Sequence, residues 1–549
     1  MSVTISNNII KGPPVTAQCP KEGLGCMIFA ACTKYAKKIC HISPCGNELE
    51  NFKSETFESF KDRSSRVAKE LIRRGVKPKD VIVNCCPNHY DSAITTAACL
   101  YIGAISSTLD PTLSHRECGH LLKLIEPKFI FVHEDALELI EESLKISGLN
   151  ESDIHPQIVI QGSTGDNKKN VKYDTFKTFL QNDAKGFKPR KAENLDENCL
   201  IMFSSGSTGL SKGICVSHKS FFLGAHSLLE LLDDTTCILH YSTLYWVSAI
   251  MIFIATFING SCRLAARSFI PEDTCKLIQK HNITSAFMAT PMAYQFEALK
   301  HLSKKYNISS LKSILLGGGP LSAEQMVKAR ECLPHCSIFL GYGMTEVASC
   351  VVGYLPQDRK DFLQYPSSCG RPMRGMQLKI VDPESNKLLG PDEMGEILFK
   401  PPSKLLGYYK KTEDSYDADG FFKSGDIGYF NQHFLIYVCD RIKDMFKYMS
   451  WHIVPAAVEA VIKEHPAVQE CVVFGIPSEI AENLPAAAVV LKPGCNIKES
   501  DIEDFVAELV VDREKLRGGV YFVENMPKTP SGKIQRRKVK DMLLKCMPR

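Results

Sequence analysis

Glycine and hydroxyl residues are concentrated around a single lysine in the stretch Phe203–Gly213, which reads FSSGSTGLSKG. Glycines let backbone N–H groups approach an anion closely, hydroxyls add hydrogen-bond donors, and Lys212 supplies a positive charge. The stretch therefore predicts a loop that binds the phosphates of a nucleotide. An ordinary Gly/Ser loop is the alternative. A Walker A loop is disfavoured, because such a loop has Gly before and Ser or Thr after its lysine, whereas Ser211 and Gly213 flank Lys212.

Two further stretches each contain an apolar run followed by glycines. Leu311–Gly319 reads LKSILLGGG, and Ser337–Glu346 reads SIFLGYGMTE. Both patterns predict a buried strand that ends in a tight turn. In open α/β sheets, ligands bind beyond the carboxyl ends of the strands. We therefore expect these two turns to share one crevice with the loop at Phe203–Gly213.

The elements that would carry these turns alternate between helices and strands. Phe57–Gly75 has apolar residues at helical spacing and closes with Gly, whereas Val81–Cys85 and Lys128–Val132 read as buried strands. This alternation predicts a layered α/β domain with much parallel sheet. Short alternating strands from Gln377 predict a small β subdomain, and a compact α+β unit follows from Asp440.

Length indicates more than one domain. A chain of 549 residues is too long for a single hydrophobic core. We expect a large N-terminal domain over residues 1–439 and a small, mobile C-terminal α+β domain over residues 440–549, with a hinge near Asp440.

Bulk composition excludes several classes of partner. The chain has 66 Lys and Arg against 62 Asp and Glu, so its net charge of +4 gives no reason to expect nucleic acid or an anionic membrane. The most apolar segment, Leu244–Ile258, is shorter than the roughly 20 residues that a membrane-spanning helix needs. We predict a buried core helix there and no transmembrane segment. The 22 cysteines are scattered without a C-x-x-C pair, which is typical of reduced thiols.

Five motifs, in this order and spacing, resemble those of the adenylate-forming superfamily, which contains acyl-CoA synthetases, 4-coumarate–CoA ligases and beetle luciferases. They are Phe203–Gly213, Gly341–Glu346 (GYGMTE), Ser424–Gly428 (SGDIG), Asp440–Asp444 (DRIKD) and Pro527–Lys533 (PKTPSGK). Any one of them is weak evidence, but the five in register are specific, and the resemblance covers nearly the whole chain. Taken as a whole, the sequence most resembles the insect luciferase-like branch.

The resemblance implies that ATP activates a carboxylic acid as an acyl-adenylate, which then passes to the thiol of coenzyme A. Two anionic reactants must meet, so the site has to position them and neutralise their charge. The implied ATP-binding residues are Ser204, Ser205, Gly206, Ser207, Thr208, Gly209, Lys212, Gly318, Gly319, Gly341, Tyr342, Gly343, Thr345, Asp426 and Arg441. Glu346 would help to hold Mg²⁺, a hard cation that prefers oxygen ligands.

Each part of this set has an implied contact with ATP. The loop that contains Lys212 would wrap the β- and γ-phosphates, and Thr345 would contact the α-phosphate. Tyr342 and the neighbouring glycines would line the adenine slot. Asp426 would accept hydrogen bonds from both ribose hydroxyls, a task suited to a carboxylate. Arg441 would reach the ribose or a phosphate from the domain boundary.

Two lysines are the implied catalytic residues. Lys533, in PKTPSGK, would bind the acid carboxylate and the α-phosphate during adenylation. The alternative is a solvated basic tail, because Lys528 and Arg536 lie near it in the sequence. Lys447 matches a family lysine that faces the site for the second half-reaction once the small domain has rotated, and an ordinary surface lysine is its alternative.

Three positions depart from the family pattern. Ser211 stands where the phosphate loop usually has Pro, which loosens the loop without removing a phosphate ligand. Ser450 replaces a usual Gly at a point where the pantetheine arm of coenzyme A passes close to the backbone. Ala457 replaces a usual Glu. The changes at 450 and 457 leave adenylation in place and weaken the case for thioester formation.

The substrate pocket also departs from that of beetle luciferases. Tyr245 and Trp246 replace an adjacent His pair, and Gly224 stands where those enzymes have Arg. The two aromatics form either an apolar wall of the acid pocket or part of the core. As a wall, they would favour a fatty or aromatic acid over a polar heteroaromatic one.

We therefore predict an ATP- and Mg²⁺-dependent acid–CoA ligase for a hydrophobic carboxylic acid. A luciferase-like adenylating monooxygenase and a non-catalytic adenylate- or acyl-binding relative are the alternatives. The N-terminus has no apolar signal region, and Met547–Arg549 is not an S-K-L signal. Peroxisome and cytosol both stay open as the location, and the sequence specifies neither the acid nor the oligomeric state.

Overall fold

The computed structural model describes residues 3–45, 51–149, 156–162, 172–204, 211–232, 235–411, 415–449, 451–478, 480–528 and 534–546. It is a mixed α/β structure, with a large N-terminal part and a smaller C-terminal part, as predicted.

The first large sheet holds the strand that precedes the predicted phosphate loop. Its strands, in spatial order, are β11 (Lys212–Ser217), β10 (Asn198–Ser204), β6 (Ile105–Leu109), β5 (Val81–Cys85), β7 (Phe129–His133), β8 (Gln157–Gln161) and β9 (Asp174–Thr175). All neighbouring pairs are parallel except β10 and β11. Strands β5 and β7 are buried along their whole length, which explains why they read as apolar runs. Strand β6 is equally buried, but its central Ser-Ser-Thr gave no such run.

The second large sheet carries the other two glycine-rich turns. Its strands, in spatial order, are β16 (Ser337–Leu340), β15 (Ser313–Gly317), β14 (Ser285–Ala289), β12 (Cys237–His240), β13 (Cys262–Ala265), β3 (Ile39–Pro44) and β4 (Phe52–Thr56). The sheet is parallel up to β3, and β4 pairs antiparallel at the edge.

A third sheet is antiparallel, in agreement with the β subdomain predicted from Gln377. It contains β1 (Thr4–Ser6), β2 (Ile9–Lys11), β20 (Gln377–Val381), β21 (Gly395–Lys400), β22 (Phe422–Phe430) and β23 (Ile436–Arg441). A smaller antiparallel sheet contains β17 (Tyr342–Met344), β18 (Ser349–Gly353) and β19 (Arg371–Pro372).

Helices cover these sheets. In the N-terminal part they are α1 (Leu24–Lys34), α2 (Phe57–Arg73), α3 (Ser92–Ile102), α4 (His115–Ile125), α5 (Leu137–Ser147), α6 (Phe176–Phe179), α7 (His218–Leu232), α8 (Val247–Asn259), α9 (Pro271–His281), α10 (Phe296–Leu302), α11 (Ala323–Cys332) and α12 (Arg359–Gln364). One core cluster joins apolar residues of α1, α2, α3 and α8 to the first sheet. A second joins the second and third sheets.

Helix α2 illustrates how local sequence sets the ends of an element. Thr56 accepts a hydrogen bond from the Ser59 N–H at its start, and Gly75 has a φ of 80° just beyond its end. Phe60, Val67 and Leu71 are buried, as the helical spacing predicts. Ile72, which the spacing also placed on the apolar face, is 52% exposed.

The C-terminal part has its own core. Its strands are β24 (Phe446–Tyr448), β25 (Trp451–Ile453), β26 (Val468–Ser478), β27 (Glu482–Leu491) and β28 (Val520–Phe522), and its helices are α13 (Pro455–Glu464), α14 (Glu499–Leu509) and α15 (Arg536–Cys546). Buried residues such as Ile462, Val473 and Val489 form a cluster of their own. From α13 to β28 the order of elements is the one that the sequence pattern predicts: helix, strand, strand, helix, strand. The strands β24 and β25 and the helix α15 were not predicted.

The apolar segment Leu244–Ile258 is a core helix. It largely coincides with α8, whose residues from Ala249 to Phe257 are buried. Within the described ranges, every helix is too short or too polar to span a bilayer.

The cysteines of the described ranges are free thiols, and most of them are buried. Among the cysteines whose side chains the structure describes, Cys495, in the C-terminal part, is the exposed one.

Candidate functional site

The predicted phosphate loop connects the two strands of a hairpin at the edge of the first sheet. Ser204, the last residue of β10, lies opposite Lys212, the first residue of β11. The sequence predicted the strand before the loop but not the strand after it. Five of the predicted ATP-binding residues, Ser205, Gly206, Ser207, Thr208 and Gly209, lie outside the described residues.

A hydrogen bond joins the start of this loop to the third glycine-rich turn. The Ser204 hydroxyl donates to Oε1 of Glu346 over 3.0 Å. Glu346 follows β17 in a short 3-10 turn that begins at Thr345. Burial raises the pKa of the Glu346 carboxyl above its usual value. A desolvated carboxylate beside a hydroxyl is therefore placed where the two predicted stretches meet.

A second contact ties the same turn to the third sheet. The Tyr342 hydroxyl donates to Oδ2 of Asp426 over 2.6 Å. Asp426 is buried in β22, and its Oδ1 lies 3.2 Å from Nε of Arg441 on the neighbouring strand β23. Burial and the adjacent Asp426 charge hold the pKa of Tyr342 well above its usual value. Both oxygens of Asp426 are thus oriented by a donor from a different element.

The predicted glycines differ in what they allow. Gly318 follows β15 with a φ of 94°, and a Cβ there would meet no atom within 4 Å. Gly319 is half-buried beside it. A Cβ on Gly341 would lie 2.8 Å from Leu315, and one on Gly343 would lie 2.5 Å from the Ser349 carbonyl oxygen. Gly343 is therefore required by the nearby backbone, a Cβ at Gly341 would displace only the end of the Leu315 side chain, and Gly318 borders open space.

Lys212 is buried, and a segment that the sequence did not single out covers it. Its Nζ lies 4.9 Å from the ring centroid of Tyr408. The Tyr409 N–H donates to the Gly213 carbonyl over 2.7 Å, and the Cys215 N–H donates to the Gly407 carbonyl over 3.0 Å. Residues 407–409 therefore run along the outer edge of β11. An aromatic pair after Gly407 was the available signal, but it has no chemistry-specific spacing.

The structure describes one of the two predicted catalytic lysines. Lys533 lies outside the described residues. Lys447, on β24, places its Nζ 2.7 Å from Oε1 of Glu384 in the N-terminal part. Sequence reasoning also passed over Lys443, which follows Arg441. Burial and the Arg441 charge lower the pKa of Lys443.

Tyr245 packs in the core beside the loop. Its ring stacks on Phe203, with centroids 6.2 Å apart and an interplanar angle of 21°. Phe203 immediately precedes Ser204. Trp246 is half-buried and stands edge-on to Tyr245 at 5.2 Å. Tyr245 is therefore packed as a core residue. A role of either ring in an acid pocket stays a prediction.

Gly224, on α7, has no room for a side chain. A Cβ at this position would lie 2.0 Å from the Ala348 carbonyl oxygen. Ala348 is two residues after Glu346, so α7 packs directly against the turn that carries this carboxylate. An arginine at 224 would require this backbone to move.

The donor set fits a magnesium ion held mainly by a nucleotide. In the described part of the chain, no three His, Cys, Asp or Glu side chains form a metal cluster. Mg²⁺ is commonly bound by one or two carboxylates together with substrate phosphates and water. The Glu346 carboxylate beside the Ser204 hydroxyl offers such oxygen ligands at the start of the loop.

The chain is similar to known proteins along most of its length. Residues 28–409 match the family model of AMP-binding enzymes, and residues 457–533 match the model of the AMP-binding enzyme C-terminal domain. The chain is 30% identical over 559 residues to luciferin 4-monooxygenase of Photuris pensylvanica, with 98% of each chain covered. It is 28% identical over 513 residues to a probable 4-coumarate–CoA ligase of Dictyostelium discoideum, covering 89% of this chain and 90% of that relative.

A solved structure is also similar. The luciferase-like enzyme from the nonluminescent Zophobas morio mealworm has a TM-score of 0.73 and 37% sequence identity. The match covers 80% of this chain and 100% of that chain.

Proposed function

Since the chain belongs to the AMP-binding, adenylate-forming enzyme family, we propose that it is an acid–CoA ligase. It uses ATP and Mg²⁺ to activate a fatty or aromatic carboxylic acid and transfers the acyl group to coenzyme A. The observation that carries the nucleotide half of this proposal is the buried carboxylate of Asp426, held by Tyr342 and Arg441.

Asp426 is suited to bind the ribose. A carboxylate presents two acceptor oxygens side by side, which matches the two neighbouring hydroxyls of a ribose. A carboxylate whose orientation is fixed before the nucleotide arrives loses little conformational freedom on binding. Gly318 borders open space beside this cluster, and a flat base lies against backbone there without a side chain in its way.

The adenylation step is a substitution at phosphorus. An oxygen of the acid carboxylate bonds to the α-phosphorus, the bond to the bridging oxygen breaks, and pyrophosphate leaves. Lys212 neutralises charge on the β- and γ-phosphates, and Thr345 contacts the α-phosphate. Mg²⁺, when bound at Glu346, supplies further positive charge to the phosphates. Lys533 draws the acid carboxylate and the α-phosphate together in the transition state.

In the second step the coenzyme A thiolate attacks the acyl carbon, and AMP leaves. We assign this step to a second orientation of the small domain, residues 440–549, relative to residues 1–439, with the hinge near Asp440. Lys447 faces the site in that orientation. Trapping the enzyme with a non-reactive adenylate analogue and mapping which lysine resists acylation tests the assignment: Lys533 should be protected before coenzyme A is added, and Lys447 afterwards.

A hydrophobic acid is favoured by the surroundings of the loop. Tyr245 stacks on Phe203, and Trp246 stands edge-on to Tyr245. Aromatic and aliphatic side chains line most small-molecule pockets and favour apolar ligands. Trp246, which is half-buried, is the better placed of the two aromatics to contact an acid.

A luciferase-type monooxygenase is the second candidate, favoured by the similarity to the Photuris pensylvanica enzyme. The likeness to a mealworm enzyme whose source is described as nonluminescent supports the ligase. So does Gly224, because its contact with Ala348 leaves no room for an arginine that would contact luciferin. Mixing the protein with beetle luciferin, ATP, Mg²⁺ and oxygen in a luminometer should give no light above background; sustained emission would favour the monooxygenase.

A panel of acids tests the ligase proposal. Pyrophosphate release and thioester formation are measured with medium-chain, long-chain and cinnamate-like acids, with and without coenzyme A. The proposal expects both products with at least one acid. Pyrophosphate without thioester would limit the protein to adenylation, and no pyrophosphate with any acid would favour a non-catalytic adenylate- or acyl-binding relative.

A further inference from the structure

The strand that follows the phosphate loop is anchored by a helix on which no site residue was predicted. His120, on α4, places Nε2 3.1 Å from the carbonyl oxygen of Ser211, which is 91 residues away in the chain. A carbonyl oxygen only accepts hydrogen bonds, so Nε2 of His120 carries the proton and donates. Ser211 is the residue immediately before Lys212.

Three consecutive residues at this point have separate contacts. Ser211 is bonded by His120, and Lys212 is covered by Tyr408. At Gly213 a Cβ would lie 3.4 Å from Leu124, one helical turn after His120 on the same helix. Helix α4 and the segment 407–409 therefore enclose the start of β11 from two sides.

Helix α4 is a rigid base for this contact. Its first turn is closed by a capping box in which Ser114 and Glu117 bond each other's backbone N–H groups. Its other face buries Leu121, Leu122 and Ile125 against the first sheet and α5. A side chain on such an element is held more precisely than one on a loop.

We infer that His120 is a positioning residue for Lys212, acting through the Ser211 carbonyl. Proline would fix its own φ at this position, whereas Ser211 leaves that angle free. A hydrogen bond from a packed helix restricts the same backbone from outside. Because Lys212 follows directly, the bond sets where its ammonium group stands relative to the β- and γ-phosphates. This inference rests on the proposed role of Lys212 in ATP binding.

The test compares two nucleotides that differ only in those phosphates. ATP and AMP are each titrated by isothermal calorimetry into the full chain and into His120→Ala, His120→Phe and His120→Gln. We expect Ala and Phe to weaken ATP binding about tenfold, the upper range for one hydrogen bond. AMP binding should change less than twofold, because AMP does not reach Lys212. Gln keeps an N–H donor of similar reach and should bind ATP as the parent protein does.

Several outcomes would overturn the inference. Equal weakening of ATP and AMP would indicate a general structural effect, and unchanged ATP binding in His120→Ala would remove the role altogether. A Gln variant as weak as Ala would show that the hydrogen bond is not the cause. ATP binding by the parent protein without pyrophosphate release from any acid would refute the ligase proposal alone and leave this inference standing.

Discussion

The two halves of the proposed reaction are supported by very different contacts. On the nucleotide side, Ser204, Tyr342 and Arg441 bond partly or fully buried carboxylates across separate elements. On the coenzyme A side, Lys447 has an ion pair with Glu384 in which the side chains are 40% and 63% exposed. Exposed pairs of this kind stabilise a structure little, because water and salt screen the two charges. The nucleotide side is built to stay fixed, whereas the contact at Lys447 is easily given up.

The largest effect is expected at Lys533, which belongs to neither of the two groups of contacts compared above. Lys533→Ala should lower the rate of pyrophosphate release on the order of 10²-fold or more, because it removes charge stabilisation made mainly in the transition state. Burst or steady-state pyrophosphate assays measure the change. Lys538→Ala, an exposed lysine of the same basic segment, is the matched control and should have little effect. Equal losses in both variants would support the solvated-tail alternative.

The second largest effect is expected at Asp426, on the nucleotide side. Asp426→Asn keeps the shape of the side chain but removes the charge opposite Arg441, and its amide competes with the Tyr342 donor. Binding of both ATP and AMP should weaken about 10-fold to 100-fold, in line with loss of a charge-assisted hydrogen bond. Tyr342→Phe, which removes only one donor, should cost less. If AMP binding survived in Asp426→Asn, the ribose assignment would fail.

Substitutions on the coenzyme A side are expected to increase activity rather than lower it. We expect Ser450→Gly, alone and together with Ala457→Glu, to raise the amount of thioester formed per pyrophosphate released by several-fold. A barrier to entry of the pantetheine arm that is lower by about 1 kcal/mol corresponds to a change of this size. Ser450 lies outside the described residues, so this expectation rests on the family resemblance alone. Pyrophosphate release should stay unchanged. A fall in that rate would mean that the two halves are not separable.

The smallest expected effect is on stability. Burial raises the pKa of Glu346, so the folded state loses stability as the pH rises above the usual carboxyl pKa, and the full loss is present above the raised value. Glu346→Gln should raise the melting temperature at neutral pH by on the order of 1–2 °C. The gain should disappear at a pH below the usual carboxyl pKa of about 4.3, where Glu346 is protonated in both states. Thermal melts at several pH values measure it, and ATP-dependent activity should fall in the same variant.

Sequence patterns predicted those parallel strands whose buried residues form clear apolar runs, and missed equally buried strands such as β6, β12 and β13. Val81–Cys85 and Phe129–His133 are examples of the predicted strands. Strand β11 was missed because its first residues, Lys212 and Gly213, read as loop chemistry. Helix α15 was missed because a cluster of Lys and Arg hides the few apolar positions, such as Val539, that pack it on the small domain.

The candidate site was predictable in its residue types but not in its pairings. Tyr342 and Asp426 are 84 residues apart and lie in different sheets, so no periodicity links them. The covering of Lys212 by Tyr408 depends on how a loop of the third sheet reaches the edge of the first. His120 carried no signal, because a single histidine on an amphipathic helix is an ordinary surface residue. Such contacts arise from the packing of elements, which the order of residues along the chain does not encode directly.

The distribution of thiols makes the proposed domain rotation directly observable. Of the cysteines whose side chains the structure describes, Cys495 alone is exposed, and it lies in the small C-terminal part. After Cys546, near the end of α15, is replaced by Ser, a maleimide dye should attach preferentially at 495 under native conditions. A second dye on the large domain would then turn each catalytic cycle into a change of fluorescence energy transfer, and the enzyme could be watched switching orientation one molecule at a time.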